Sequence, residues 1–345
     1  MMESYDYTVF DWTTNLMNTL KLTSSELNLK AVLMNGQTFR WRNIGECYYG
    51  VVEGLLLYMK QLDDETIEWS CLGRSDSSSD IDVSKKLHEY FQLDISVENL
   101  WDEWCAREPF MAKLRSIKEL QGIRILKQDF FETLIAFICS SNNNIPRISK
   151  MVNQLAIMYG MPITLHRPTV DYEVVRHFPE LGFAFPTLSQ MVNENNLCEN
   201  LRKQSFGYRA RSVSETVHQL SSMPTIELSN LRSLPYEHIR KFLLGFTGVG
   251  LKVAECVALM SLGQHQSVPV DRHIFEITKK YFMPSLKNSS LTDSLNRRIM
   301  DFYKKKFGAY AGWAQAALFN QQLENFICDL FVNEPVSKKS RRSRR

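Results

Sequence analysis

Phe246-Thr247-Gly248-Val249-Gly250-Leu251-Lys252 breaks a helical pattern and restarts it. Ahead of this stretch, over 236–244, Ile239, Phe242 and Leu243 recur at helical spacing. After it, over 251–262, Val253, Ala254, Val257, Ala258 and Leu262 do the same. The spacing predicts two helices joined by a glycine hairpin. Gly248 and Gly250 let the backbone approach a ligand closely. The second helix would present unpaired N–H groups and the positive end of its dipole, a combination suited to one phosphate. From the turn alone, a glycine that simply caps the first helix is the commoner reading.

Lys252 opens the second helix and stands 19 residues before Asp271. A lysine at a helix start feels the positive end of the dipole. Shielding from water further disfavours its ammonium form, and a neutral amine is a nucleophile. Val268-Pro269-Val270-Asp271 precedes a further helical run, so Asp271 is placed as its N-cap. A capping carboxylate is fixed in direction and here can also face Lys252. His273, in the first turn of that helix, reads either as a phosphate donor or as a structural histidine.

The chain has 345 residues, 44% of them hydrophobic and 23% charged, ordinary values for a globular protein of two or three domains. Its net charge of +3 conceals an asymmetry, because the last eight residues carry six positive charges. The remainder is therefore acidic, and a nucleic-acid site must be a local feature rather than a basic surface. The tail has no apolar residue with which to pack. It reads as a nuclear-localisation signal or a phosphate-binding arm. The acidic, aromatic stretch 1–11 does not have the pattern of a secretory or mitochondrial leader, although a mitochondrial form stays open. The seven cysteines show no C-x-x-C pairing, which argues against a zinc or iron–sulfur site and for reduced thiols. No apolar run approaches the ~20 residues of a membrane span, and nothing in the pattern calls for more than a monomer.

The first hundred residues read as β-rich. Cys47–Val52 and the run 55–59 are short and apolar or aromatic, and 66–71 alternates as a half-buried strand should. Their short connections favour antiparallel pairing. After about Lys85 the period becomes helical, with segments at 84–92, 108–119, 129–139, 146–158, 211–221, 272–282, 291–306 and 309–320 besides the hairpin pair. The expected architecture is α+β. An N-terminal antiparallel β domain (1–107) precedes a two-lobed helical region (108–333), with the hairpin at 236–262, a Gly/Pro loop ending in Asp271 at 263–271, and a disordered basic tail at 334–345.

With these features in place, the chain resembles the helix-hairpin-helix DNA glycosylase superfamily, and within it the eukaryotic-type 8-oxoguanine DNA glycosylases. The resemblance runs from about Asn28 to Glu324. It rests on the hairpin with its lysine and aspartate and on four motifs: 35–41 (NGQTFRW), 137–145 (FICSSNNNI), 207–211 (GYRAR) and 310–316 (YAGWAQA). It implies a bifunctional glycosylase/AP lyase working on duplex DNA that contains oxidised guanine, without metal or cofactor. Lys252 would attack C1′ of an extruded nucleotide, with Asp271 stabilising the cation-like transition state. Phe319 and Cys256 would cover the two faces of the base, Gln315 would read its Watson–Crick edge, and the Gly36 carbonyl would meet the N7–H that ordinary guanine lacks. Asn142, Arg147 and Arg209 would hydrogen-bond the estranged cytosine, and Tyr208 would wedge the stack. Gly248, Gly250 and His273 would grip the backbone.

Read without the resemblance, the asparagine run is a turn, Tyr208-Arg209 a solvated helix face, and Phe319 and Cys256 core residues. Thr247 stands where the family usually has proline, and Pro146 separates the asparagines from Arg147. The rival readings are a glycosylase for alkylated bases, which would typically lack the hairpin lysine, and a non-catalytic DNA-binding protein using the hairpin alone.

Overall fold

Five strands from the N-terminal region pair by short antiparallel connections: β1 Asn18–Lys21, β2 Trp41–Ile44, β3 Cys47–Val52, β4 Leu55–Gln61 and β5 Thr66–Arg74. Their order is β1-β5-β4-β3-β2, and β6, Thr164–Leu165, adds to β5 from far along the chain. The computed structural model describes residues 17–75, 82–166, 168–224, 230–286 and 289–319. The N-terminal stretch 1–11, nearly all of the serine-rich loop 75–80 and the basic tail 334–345 lie outside those residues.

Alternation along β4 sends Leu55, Leu57 and Met59 to one face and Leu56 and Tyr58 to the other, and all five are buried. The sheet is thus covered on both sides. Helices Leu29–Leu33 and Val83–Tyr90 cover the first face. Val174, Val175, Leu181 and Ile163, from the helical region, cover the second. The half-buried strand expected at 66–71 is instead packed on both sides, because chain arriving about a hundred residues later closes over it.

The helical part holds two further cores. One gathers Leu134, Phe137, Ile138, Val253, Ala254 and Val257. The other gathers Trp101, Trp104, Val270, Ile274, Phe275 and Trp313. Packing does not follow chain order: helix Val97–Arg107 adjoins the sheet in sequence, yet its Trp101 and Trp104 are buried among the C-terminal helices. Burying each of these rings stabilises by about 2–3 kcal/mol. Helix Leu251–Ser261 lies between the two cores, giving Val253, Ala254 and Val257 to the first and Leu259 to the second.

A buried ion pair joins these parts. Arg124 is 1% exposed; its Nη2 lies 3.0 Å from Glu26 Oε2, and it also donates to the carbonyls of Glu26, Phe91, Gln92 and Ile95. Burial lowers its pKa to about 10 against the opposing pull of Glu26. Glu26 in turn accepts from the backbone of Val97 and from Ser96 Oγ, at the start of helix Val97–Arg107. Arg124→Met would leave four buried carbonyls and one carboxylate short of a donor. The expected loss is about 3–5 kcal/mol, read as a lower urea midpoint at unchanged slope.

Candidate active site

Helix Phe130–Cys139 is almost wholly apolar and buried, with Asp129 capping its start by accepting from Glu132 N at 2.8 Å. It packs against helix Leu251–Ser261. This packing brings Ser140, just past the end of the first helix, against Lys252 near the start of the second. Lys252 Nζ donates to Ser140 Oγ at 3.2 Å and sits 4.9 Å from the Phe137 ring centre. Ser140 Oγ itself donates to the Phe137 carbonyl at 2.7 Å. The hydroxyl proton is thereby committed, and its lone pairs face the amine. Sequence reading quoted Ser140 within a motif but gave it no role; a lone serine beside a cysteine carries no signal until the two helices are packed.

Asp271 caps helix Arg272–Ile277 as expected, accepting from Ile274 N at 2.9 Å. It opens into the same pocket as Lys252, and the pocket is also lined by Gly36, Cys256, Gln315 and Phe319. The six residues come from four separate stretches of chain. Cys256 lies one turn beyond Lys252. Burial pushes its thiol up to about 11; Lys252 pulls it down and Asp271 pushes it further up, so both charges act on one point. Gln315 is buried, while Phe319, half-buried, meets the His273 ring edge-on at 5.9 Å.

Gly36 stands at φ +87°, a conformation that favours glycine, and a Cβ there would lie 2.8 Å from Ile145 Cδ1 and push that side chain aside. Gln37 holds this turn. Its amide donates to the carbonyls of Val32 and Arg124 and accepts from Leu126 N, and its own carbonyl accepts from Gln128 Nε2. It too was quoted without a role, because three of its partners lie about ninety residues away.

A groove leads from the pocket past Gly250 and His273 to the asparagine run. Helix Leu251–Ser261 begins at Gly250 without a side-chain cap, leaving its first N–H groups to the groove. Asn142 is exposed at φ +48°, and Asn144 caps helix Ile145–Tyr159. Pro146 occupies the first turn of that helix, where a missing N–H costs nothing. Arg147 is exposed and reaches the Ser205 carbonyl at 3.2 Å. Tyr208 is 60% exposed and donates to the Ser141 carbonyl at 2.8 Å.

Arg209 is the residue whose setting differs most from expectation. It is 3% exposed, and its guanidinium donates to the carbonyls of Ser141 and Asn142. In this conformation it braces the asparagine loop from behind, rather than lying on a solvated helix face. The hairpin rests on the same helix, Arg209–Ser221. Gly248, at φ +83°, leaves no room for a Cβ against Ser212, and Thr247 N donates to Gln219 Oε1 at 3.4 Å. A proline at 247 would lack that donor, so this chain gains by a hydrogen bond some of the stiffness a ring would supply.

The family profile described as "8-oxoguanine DNA glycosylase, N-terminal domain" matches residues 19–134. The N-glycosylase/DNA lyase OGG1 of Arabidopsis thaliana is 36% identical over 325 residues, which cover 92% of this chain and 84% of that protein. The chain belongs to the 8-oxoguanine DNA glycosylase family. The N-glycosylase/DNA lyase of Saccharomyces cerevisiae is 34% identical, with 88% of this chain and 85% of that protein covered. Among solved structures, MBOgg1 in complex with a low-affinity DNA ligand superposes with a TM-score of 0.73 at 26% identity, covering 91% of this chain and 97% of that one. The Clostridium acetobutylicum 8-oxoguanine glycosylase/lyase, at 24% identity and a TM-score of 0.72, shares the fold over 90% of this chain and 99% of its own. Among the described residues, no helix is long and apolar enough to cross a membrane, and no group of three or more His, Cys, Asp or Glu is arranged to hold a metal.

In this glycosylase the loop that ends in Asp271 is clasped to the helix that carries Gln315. Trp313 Nε1 donates to His265 Nδ1 at 3.1 Å, the His265 ring stacks on Tyr310 at 5.2 Å, and Gly312 N donates to the His265 carbonyl. Burial lowers the His265 pKa below its ordinary 6.5. As pH falls below about 6.5 the unfolded chain takes up a proton that the folded chain refuses, so this contribution is present above that pH and is lost as acid is added. His265→Phe keeps the stack and removes the titration. Its stability, followed by urea unfolding between pH 7 and pH 5, is expected to fall less steeply than that of the wild type.

Proposed function

We propose that this chain excises 8-oxoguanine, and ring-opened purines, from positions opposite cytosine in double-stranded DNA and then cuts the strand, acting as a monomer without metal or cofactor. The observation that carries the reading is the single pocket in which Lys252 and Asp271 meet Gly36, Cys256, Gln315 and Phe319. A pocket of this kind serves an extruded base rather than a stacked one, since a side chain cannot reach C1′ within the duplex. A rival glycosylase for alkylated bases does not account for a lysine there, and a scaffold protein does not account for the pocket.

Lys252 Nζ forms a bond to C1′ while the glycosidic bond breaks, and the electron pair leaves with the base, which takes up a proton. Positive charge develops on the sugar during this step, and the fixed Asp271 carboxylate stabilises it. Ring opening gives a Schiff base between Nζ and C1′. Loss of a proton from C2′ then expels the 3′ phosphate by β-elimination, and hydrolysis frees the lysine. Asn142 at the exposed loop, with Arg147, faces the vacated cytosine, Arg209 holds that loop through the Ser141 and Asn142 carbonyls, and Tyr208 fills the stack. The first turn of helix Leu251–Ser261, with Gly248, Gly250 and His273, holds the backbone. Ordinary guanine lacks the N7–H, so its lone pair would face the Gly36 carbonyl at a penalty of roughly 1–3 kcal/mol. The basic tail serves nuclear import.

Borohydride added to enzyme and a duplex with 8-oxoguanine opposite cytosine is expected to trap a covalent adduct with the wild type and none with Lys252→Gln. An adduct that persists in the variant removes Lys252 from the role. Asp271→Asn is expected to slow single-turnover excision by about 100- to 1,000-fold while duplex affinity changes little. Equal losses in rate and affinity would leave Asp271 only its capping duty.

A further inference from the structure

Glu255 lies three residues after Lys252 and is buried to 1% exposure, a carboxylate that the proposed reaction does not use. Such a group costs several kcal/mol to bury unless it is well partnered, so its partners show what it holds together. Oε1 accepts from Tyr236 Oη at 2.6 Å and lies 3.5 Å from Arg240 Nε; both partners are on helix Tyr236–Leu244, ahead of the hairpin. Oε2 accepts from Val268 N at 3.1 Å. Val268 begins the four-residue run that ends in Asp271. On the outer side, Lys304 from helix Asp293–Phe307 covers the Tyr236 ring, its Nζ 3.8 Å from the ring centre.

One side chain therefore joins both helices of the hairpin to the strand of loop that carries the second reacting residue. We propose that Glu255 is a positioning residue for the reaction: its carboxylate sets the separation between the Lys252 helix and the Asp271 loop. It touches neither DNA nor C1′ and acts through Val268. Lys252 and Asp271 make no ion pair that could hold them in place: Nζ donates to Ser140 Oγ, and Asp271 Oδ1 accepts from Ile274 N. Their relative placement must come from elsewhere, and the Glu255–Val268 bond is a direct side-chain link between the two segments that bear them. The inference rests on the glycosylase/lyase reading.

Glu255→Gln keeps the volume but turns one acceptor into an NH2 that faces Tyr236 Oη or Val268 N–H. Tyr236→Phe removes one partner and leaves the Val268 bond. With the 8-oxoguanine duplex under single-turnover conditions, the borohydride-trapped endpoint counts competent enzyme and the rate reports its geometry. Glu255→Gln is expected to lower the rate per trappable molecule about 10- to 100-fold, the scale of an ångström-level misplacement. Its Kd for a duplex carrying a tetrahydrofuran abasic analogue should stay at the wild-type value. Tyr236→Phe is expected to fall between the two, and it carries the test if Glu255→Gln does not fold. A lower endpoint with a wild-type rate in either variant would reduce Glu255 to a stability role and overturn the proposal. Failure of the wild type itself to form an adduct would overturn the glycosylase/lyase reading, and this inference with it.

Discussion

Helix Leu251–Ser261 is buried on nearly every side, and the rest of the molecule is arranged around that fact. An eleven-residue helix can shed water so completely only if two separate cores receive it. Val253, Ala254 and Val257 enter one and Leu259 the other. The consequence is that Lys252 stands at a seam rather than on a surface. Its amine is half-buried beside Phe137 and Ser140, and the pocket opens where the two cores fail to meet.

The seam also explains why the β-sheet belongs to the site. The turn that presents Gly36 is held by Gln37, whose hydrogen bonds reach the carbonyl of Arg124 and the chain at Leu126 and Gln128. Arg124 in turn is locked by Glu26, which also fixes the start of helix Val97–Arg107. The turn at 35–37, ahead of a sheet covered on both faces, is a third wall brought up to two helical cores. Directional hydrogen bonds from buried side chains do this work, because apolar contact alone would tolerate sliding.

Polar groups behind the site follow the same logic. Arg209 spends its guanidinium on the carbonyls of the asparagine loop, and Glu255 spends its carboxylate on Val268 N–H and Tyr236. Each is buried, each is bonded to backbone, and each fixes a segment that faces the groove. Preorganisation of this sort limits how far the reacting groups drift before the substrate arrives.

The sequence by itself determined the element types and the chemistry. Glycine, period and capping residues are local, so Tyr236–Leu244 and Cys47–Val52 were legible to the residue, and Asp271 was legible as an N-cap. The family resemblance supplied the other site residues, and the pocket brings four of them, Gly36, Cys256, Gln315 and Phe319, together with Lys252 and Asp271. Only the tertiary structure decided which elements share a core. Helix Val97–Arg107 deserts the neighbouring sheet for the C-terminal helices, β6 joins that sheet from the helical region, and Ser140, Gln37 and Glu255 acquire partners through packing. The physical reason is range. A helix period or a cap is written within one or two turns of chain, whereas a buried hydrogen bond between residues a hundred positions apart exists only after the apolar faces have chosen one another.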